Sequence, residues 1–161
     1  MTRYLLMTLL CATTSLAASD RAETIESFFN AVSRDTMHVL DDFYASDVHF
    51  IDPLGELHGL PALRAYYERM YEPVTAIQFD FPSIQLIENE AFATWTMTFS
   101  SSKLKRGRSI VVDGLSHIRF GADGKVIYHR DYFDVGAMVY EHVPVLGFFT
   151  RYLKRKLGDH P

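Results

Sequence analysis

The sequence predicts an α+β domain, a curved antiparallel sheet with three N-terminal helices packed on one face, plus a C-terminal amphipathic helix. Three observations carry that expectation. Apolar residues recur at helical spacing in the first half and switch to a period of two from Ala76 onward. Turn residues then punctuate the chain at hairpin intervals. With 161 residues, 48% hydrophobic and 22% charged, the chain is long enough for one well-buried core.

The elements follow in order. Asp20 and Glu23 make a capping-box pattern, after which Ile25, Phe28, Phe29 and Val32 share a helical face. A second short helix is expected from Asp35 or Thr36 to Tyr44, with Leu40, Phe43 and Tyr44 inward. Asp47 to Asp52 read as a strand ended by Pro53 and Gly55. Pro61 suits the first turn of a third helix, whose Leu63, Tyr67 and Met70 share a face. Ile77, Phe79 and Phe81 alternate up to Pro82, an expected bulge, and Ile84 and Leu86 resume the pattern. Trp95, Met97 and Phe99 point one way on a strand from Ala93 to Phe99. Ser109 to Phe120 put Ile110, Val112, Gly114, Ser116, Ile118 and Phe120 on one face. Ala122-Asp123-Gly124 turn the chain into a last strand, Val126 to Asp134, with His129, Asp131 and Phe133 together.

Residues 1–18 differ from the domain expected over 19–136. Arg3, the apolar run Tyr4 to Thr14 and the small residues Ser15 and Ala17 have the layout of a secretory signal peptide, with an additional packing helix as the alternative. The run is shorter than the roughly 20 residues of a membrane-spanning helix. Cleavage after Ala17 would remove Cys11, the sole cysteine, and place the protein in the periplasm or outside the cell; without cleavage it is cytoplasmic. In the tail, 137–161, a segment opening at Pro144 sets Val145, Leu146, Phe149, Leu153 and Leu157 opposite Arg151, Lys154 and Arg155. Such a helix can lie on a membrane surface, close the cone, cover a partner subunit or pack on its own sheet. The net charge of -4 argues against a general nucleic-acid binder.

Four segments, Phe43 to Gly59 (FYASDVHFIDPLGELHG), Glu90 to Phe99 (EAFATWTMTF), Ser116 to Phe120 (SHIRF) and Gly124 to Asp134 (GKVIYHRDYFD), resemble the nuclear-transport-factor-2-like superfamily. That superfamily holds ketosteroid isomerases, limonene-epoxide hydrolases, scytalone dehydratase and SnoaL-like polyketide cyclases. The resemblance spans Asp20 to Val135 and implies a cone-shaped α+β fold, its three N-terminal helices packed on the concave face of the sheet around a deep apolar pocket, with homodimers common among such families. It also implies roles. Asp52 stands at the isomerase base, but Phe28 and Ser116 stand where the isomerase keeps its two oxyanion donors. Asp131 stands at the hydrolase's water-activating Asp, yet the strand Ala93 to Phe99 lacks the Arg-x-Asp pair that enzyme also needs.

The resulting expectation is a SnoaL-like protein that binds a hydrophobic small molecule, with acid/base chemistry of the isomerase, lyase or hydrolase kind. Asp52 is the proton acceptor, since apolar walls disfavour the charged carboxylate, and His129 and Asp131 are its acid/base partners. Phe28, Tyr44, Phe50, Tyr67, Trp95, Met97, Phe99, Ser116, Ile118 and Phe133 line the ligand site. The residues leave alternatives. Asp52 can cap the turn at Pro53, His129 and Asp131 can form a buried structural network, Tyr44 and Tyr67 can be core, and the whole can be a non-catalytic binding or assembly module. No cofactor motif of the GxGxxG, P-loop or GxSxG type is present. No metal is expected either, because the seven His show no HxxxH or HxH spacing; His38, His58, His142 and His160 read as solvated.

Overall fold

The computed structural model describes residues 20–143 and 146–158. The expected leader, Cys11, Pro144, Val145 and His160 lie outside the described residues. Helix α1 covers 20–31 of them. There follow α2 (Val39–Phe43), β1 (Tyr44–Asp52), β2 (Gly55–His58), α3 (Leu60–Tyr71), β3 (Val74–Ile87), β4 (Glu90–Ser101), β5 (Ile110–Phe120), β6 (Val126–Phe133), α4 (Val135–Met138) and α5 (Leu146–Gly158). The six strands form one curved, unclosed sheet in the order β2-β1-β6-β5-β4-β3. All neighbours are antiparallel except β1 and β6, which run parallel.

Two elements depart from the sequence reading, each for a local reason. The second helix is shorter than Asp35–Tyr44, because Thr36 Oγ1 donates to Ala31 O (2.6 Å) and meets Ser33 Oγ (2.8 Å), holding that stretch in turns. Tyr44 is not helical: its backbone pairs with Val126 and opens β1. The second departure is β2. Asp52 Oδ1 accepts from the N–H groups of Leu54 (2.8 Å) and Gly55 (2.9 Å), closing a tight turn, so Gly55 begins a strand instead of only ending one. His58 therefore lies on β2, opposite His49, and not in a turn.

The rest of the sheet follows the expected alternation. In β3 the register shifts between Asp80 and Ser83, which is the bulge around Pro82. In β4 the buried residues are Ala91, Ala93, Trp95, Met97, Phe99 and Ser101, every second position. These inward side chains join Ile25, Phe28, Leu40 and Leu63 from the helices in one core. Gly114 is the cross-strand partner of Trp95, and the indole lies over it: a Cβ on Gly114 would stand 2.2 Å from the ring. Only glycine lets the sheet accept that ring.

Helix α5 is tethered to the domain through polar side chains. Arg151 donates to Glu141 O (2.7 Å), and Lys154 bonds Asp134 (2.6 Å) and Glu141 (2.7 Å). Its large apolar residues Phe148, Phe149, Leu153 and Leu157 are exposed.

Candidate functional site

Between the helices and the inner face of the sheet lies a cavity of about 90 Å³. Helix α1 supplies Phe28 and Phe29, β1 supplies Phe50 and Asp52, and α3 supplies Tyr66, Tyr67, Met70 and Tyr71. Trp95 and Met97 of β4, Asp131 and Phe133 of β6, and Met138 of α4 complete most of the wall. Of the residues expected at the site, Asp52, Asp131, Phe28, Phe50, Tyr67, Trp95, Met97 and Phe133 face this space. Tyr44, Ser116, Ile118 and His129 are buried behind the wall. Phe99 belongs to an adjoining apolar cavity of about 290 Å³, which shares Met70, Tyr71, Met97 and Met138 with the first.

Behind the wall runs a continuous polar chain. Trp95 Nε1–H donates to Ser116 Oγ (2.9 Å), and Ser116 donates to Asp131 Oδ1 (2.5 Å). His129 Nε2 meets the same oxygen at 2.8 Å, and its Nδ1 meets the Tyr44 hydroxyl at 2.7 Å. Tyr44 in turn contacts the Tyr67 hydroxyl at 3.3 Å. One protonation pattern satisfies every member: His129 carries its proton on Nε2 and gives it to the carboxylate, while Nδ1 accepts from Tyr44 and Tyr44 accepts from Tyr67. The alternating period of β5 and β6 is what builds this chain, since Ser116 and Asp131 are cross-strand partners. Two donors on Oδ1 leave Oδ2 of Asp131 without a hydrogen-bond partner among the described residues.

Asp52 is held differently. Its Oδ1 caps the β1–β2 turn, as the structural alternative required, while Oδ2 accepts a short hydrogen bond from the Tyr66 hydroxyl in the cavity wall. The turn-capping reading of Asp52 thus accounts for one oxygen, and the other is held by Tyr66. Tyr66 was not singled out by the sequence reading, which assigned the inner face of α3 to Leu63, Tyr67 and Met70; its spacing of three from Leu63 and four to Met70 is the pattern that marks it. Burial, reinforced by Asp52, pushes the Tyr66 hydroxyl well above the ordinary phenol range. Burial likewise raises Tyr44, Tyr67 and Tyr71, so all four phenols stay protonated donors.

On the opposite face of the sheet, His49, Glu56 and His58 form the sole grouping among the described residues with donor spacing suited to a metal ion. Sequence spacing did not reveal it, because it arises from the pairing of β1 with β2.

A family model of the SnoaL-like domain matches residues 25–129. The chain belongs to the SnoaL-like domain family. Solved structures place this SnoaL-like chain in the nuclear-transport-factor-2-like fold. A protein of that fold and of unknown function from Burkholderia pseudomallei is 17% identical with a TM-score of 0.64, covering 74% of this chain and 94% of its own. A limonene-epoxide-hydrolase-like epoxide hydrolase of M. tuberculosis is 18% identical, with a TM-score of 0.61 and coverage of 74% and 82%. A Catenulispora acidiphila protein with a ketosteroid isomerase-like fold is 8% identical, with a TM-score of 0.60 and coverage of 73% and 87%. At these identities the likeness carries the SnoaL-like chain's fold and no chemistry. None of the curated proteins matches the chain.

Proposed function

We propose that this SnoaL-like domain binds an elongated apolar carbonyl compound and moves a proton on it, with Asp131 as the acceptor. The observation that carries the reading is the asymmetry of that carboxylate: Oδ1 is pinned by Ser116 and His129, Oδ2 has no hydrogen-bond partner among the described residues, and Asp131 lines a cavity that is otherwise largely aromatic. In the step, the C–H bond next to the carbonyl breaks, its proton passes to Asp131 Oδ2, and the electron pair moves to the carbonyl oxygen. The Tyr66 hydroxyl, kept protonated, becomes the donor for that oxygen when its single hydrogen turns from Asp52 Oδ2 to the substrate. Asp52 thus takes the positioning part in this reading, and Asp131 the proton-accepting part expected of Asp52. A ligand of this class fits because the two adjoining cavities together reach the roughly 300–1,000 Å³ of small-molecule sites once the adaptable methionines between them yield.

The test is a panel of apolar ketones and aldehydes, followed by Trp95 fluorescence and by solvent deuterium uptake into the ligand. The wild type is expected to bind and exchange. Asp131→Asn is expected to keep binding but lose exchange by at least about 100-fold. Binding without exchange in the wild type leaves a carrier and sinks the chemistry; no binding at all sinks both.

A second reading is favoured by α5. With Arg151 and Lys154 turned to the body, the outward residues are Phe148, Phe149, Leu153 and Leu157, flanked by Arg155 and Lys156. That arrangement suits the interface of an anionic bilayer, where apolar side chains enter the headgroup region and the flanking cations meet lipid phosphates. No described helix is long and apolar enough to cross a membrane. Flotation with phosphatidylglycerol vesicles, lost in Phe148→Ser with Phe149→Ser, supports surface attachment; flotation equal to that with neutral vesicles rejects it.

A further inference from the structure

We propose that His49, Glu56 and His58 bind a divalent transition-metal ion, Zn²⁺ above all, on the face of the sheet opposite the cavity. The three side chains come from one hairpin. His49 and His58 are direct cross-strand partners, and Glu56 lies two residues from His58, hence on the same side of β2. The imidazole rings stack with centroids 4.3 Å apart. Both Nε2 atoms converge on a single oxygen, Glu56 Oε1, at 2.7 Å from His49 and 3.3 Å from His58.

Those separations are close to what a metal needs. Ligand atoms about 2.0–2.1 Å from a tetrahedral Zn²⁺ lie roughly 3.3 Å from one another. The His58 nitrogen already stands at that separation from Glu56, and the His49 contact has only to open by roughly half an ångström. Two imidazoles and one carboxylate select an ion of the zinc, nickel or copper type over calcium or magnesium, which prefer all-oxygen shells. Water fills the fourth position, since the site is open: the side chains of His49, Glu56 and His58 are 32%, 56% and 71% exposed. Tyr128 of β6 packs edge-on against His49 at 5.4 Å, fixing that ring's plane before the ion arrives.

The site has a consequence for the hairpin that carries it. Strand β2 is a four-residue edge strand, and the turn joining it to β1 is the one closed by Asp52 Oδ1 on the Leu54 and Gly55 N–H groups. An ion shared between His49 and His58 ties the two strands together from outside and braces that turn. The inference does not rest on the proton-transfer reading, and either stands if the other fails.

Metal-free protein titrated with ZnCl₂ and with NiCl₂ by calorimetry at neutral pH tests the site, with amide hydrogen exchange of Leu54 and Gly55 as the second readout. One ion per chain is expected, with affinity falling by about tenfold or more in His58→Ala and in Glu56→Gln. Both substituted side chains are largely exposed, so the variants keep their fold. His142→Ala is the control: this imidazole is bound to the Ala137 carbonyl, away from the hairpin, and its removal is expected to leave the affinity unchanged. Zinc is expected to slow exchange at Leu54 and Gly55. No binding, or binding that survives His58→Ala, overturns the site. Binding that leaves exchange unchanged overturns the brace.

Discussion

Two imidazole–carboxylate contacts of nearly equal length sit on opposite faces of the same sheet. His129 meets Asp131 at 2.8 Å with its side chain fully buried, and His49 meets Glu56 at 2.7 Å with both partners in contact with water. Distance alone would rate them alike. The inner pair is the middle of a chain that runs from Trp95 to Tyr67, so removing one member strands its neighbours in a low-dielectric interior. The outer pair trades each lost bond for water. Burial therefore makes the first contact structural and leaves the second open to solvent.

Substitutions sharpen that contrast, beginning with the largest effect. His129→Ala is expected to cost roughly 3–5 kcal/mol in urea unfolding, because it leaves the inner carboxylate short of a donor and the Tyr44 hydroxyl without its acceptor. His49→Ala, by contrast, is expected to leave the urea midpoint where it was. Equal losses from the two would erase the distinction. Gly114→Ala comes next, at about 1–3 kcal/mol, since the methyl group must displace the indole. Its readout is Trp95 emission, the chain having one Trp, with a red shift as the ring leaves Ser116 and the core. Tyr66→Phe falls in the same range, about 1.5–3 kcal/mol for a hydrogen bond to a charged group in a partly buried wall.

The weakest effect is again at the surface. The Lys154 ammonium holds Asp134 below the ordinary carboxylate range, and Asp134 with Glu141 holds Lys154 above the ordinary amine range. A depressed carboxyl stabilises above its unfolded-state value and loses that contribution as the pH falls through the folded one. A raised amine contributes below its unfolded-state value and loses it as the pH climbs through the folded one. The α5 tether is therefore expected to hold through the neutral range and loosen at both extremes, seen as shifts of the α5 amide resonances during an NMR titration. A tether indifferent to strong acid would show that Arg151 alone holds the helix.

The inner face was legible in the sequence wherever the period of two was unbroken. Trp95, Met97 and Phe99 fell on one side of β4, and His129, Asp131 and Phe133 on one side of β6, from alternation alone. What alternation does not carry is register. That Ser116 pairs with Asp131, and so completes the chain, depends on where the Asp123–Gly124 hairpin sets the two strands. The same gap hid the outer cluster: the four residues of β2 hold one aliphatic side chain, Leu57, too short a pattern to announce a strand, and without that strand His49 and His58 have no reason to meet. Tyr44 was misassigned because Leu40, Phe43 and Tyr44 satisfy a helical face as well as a helix end, and pairing with β6 outweighs that local preference. Tyr66 was missed because three apolar neighbours seemed sufficient to define the inner face of α3, whereas an inward stripe spans more of a helix than three positions mark.

The missing side chain at Gly114 has a reach beyond its own strand. A tryptophan laid flat over the middle of a sheet demands, directly across the ladder, a residue that contributes only a hydrogen atom. The pair is thus a two-letter signature of this pocket floor: among chains sharing the cone, those with an indole on the fourth strand should carry a glycine opposite it, and those without the glycine must build their floor from a smaller ring.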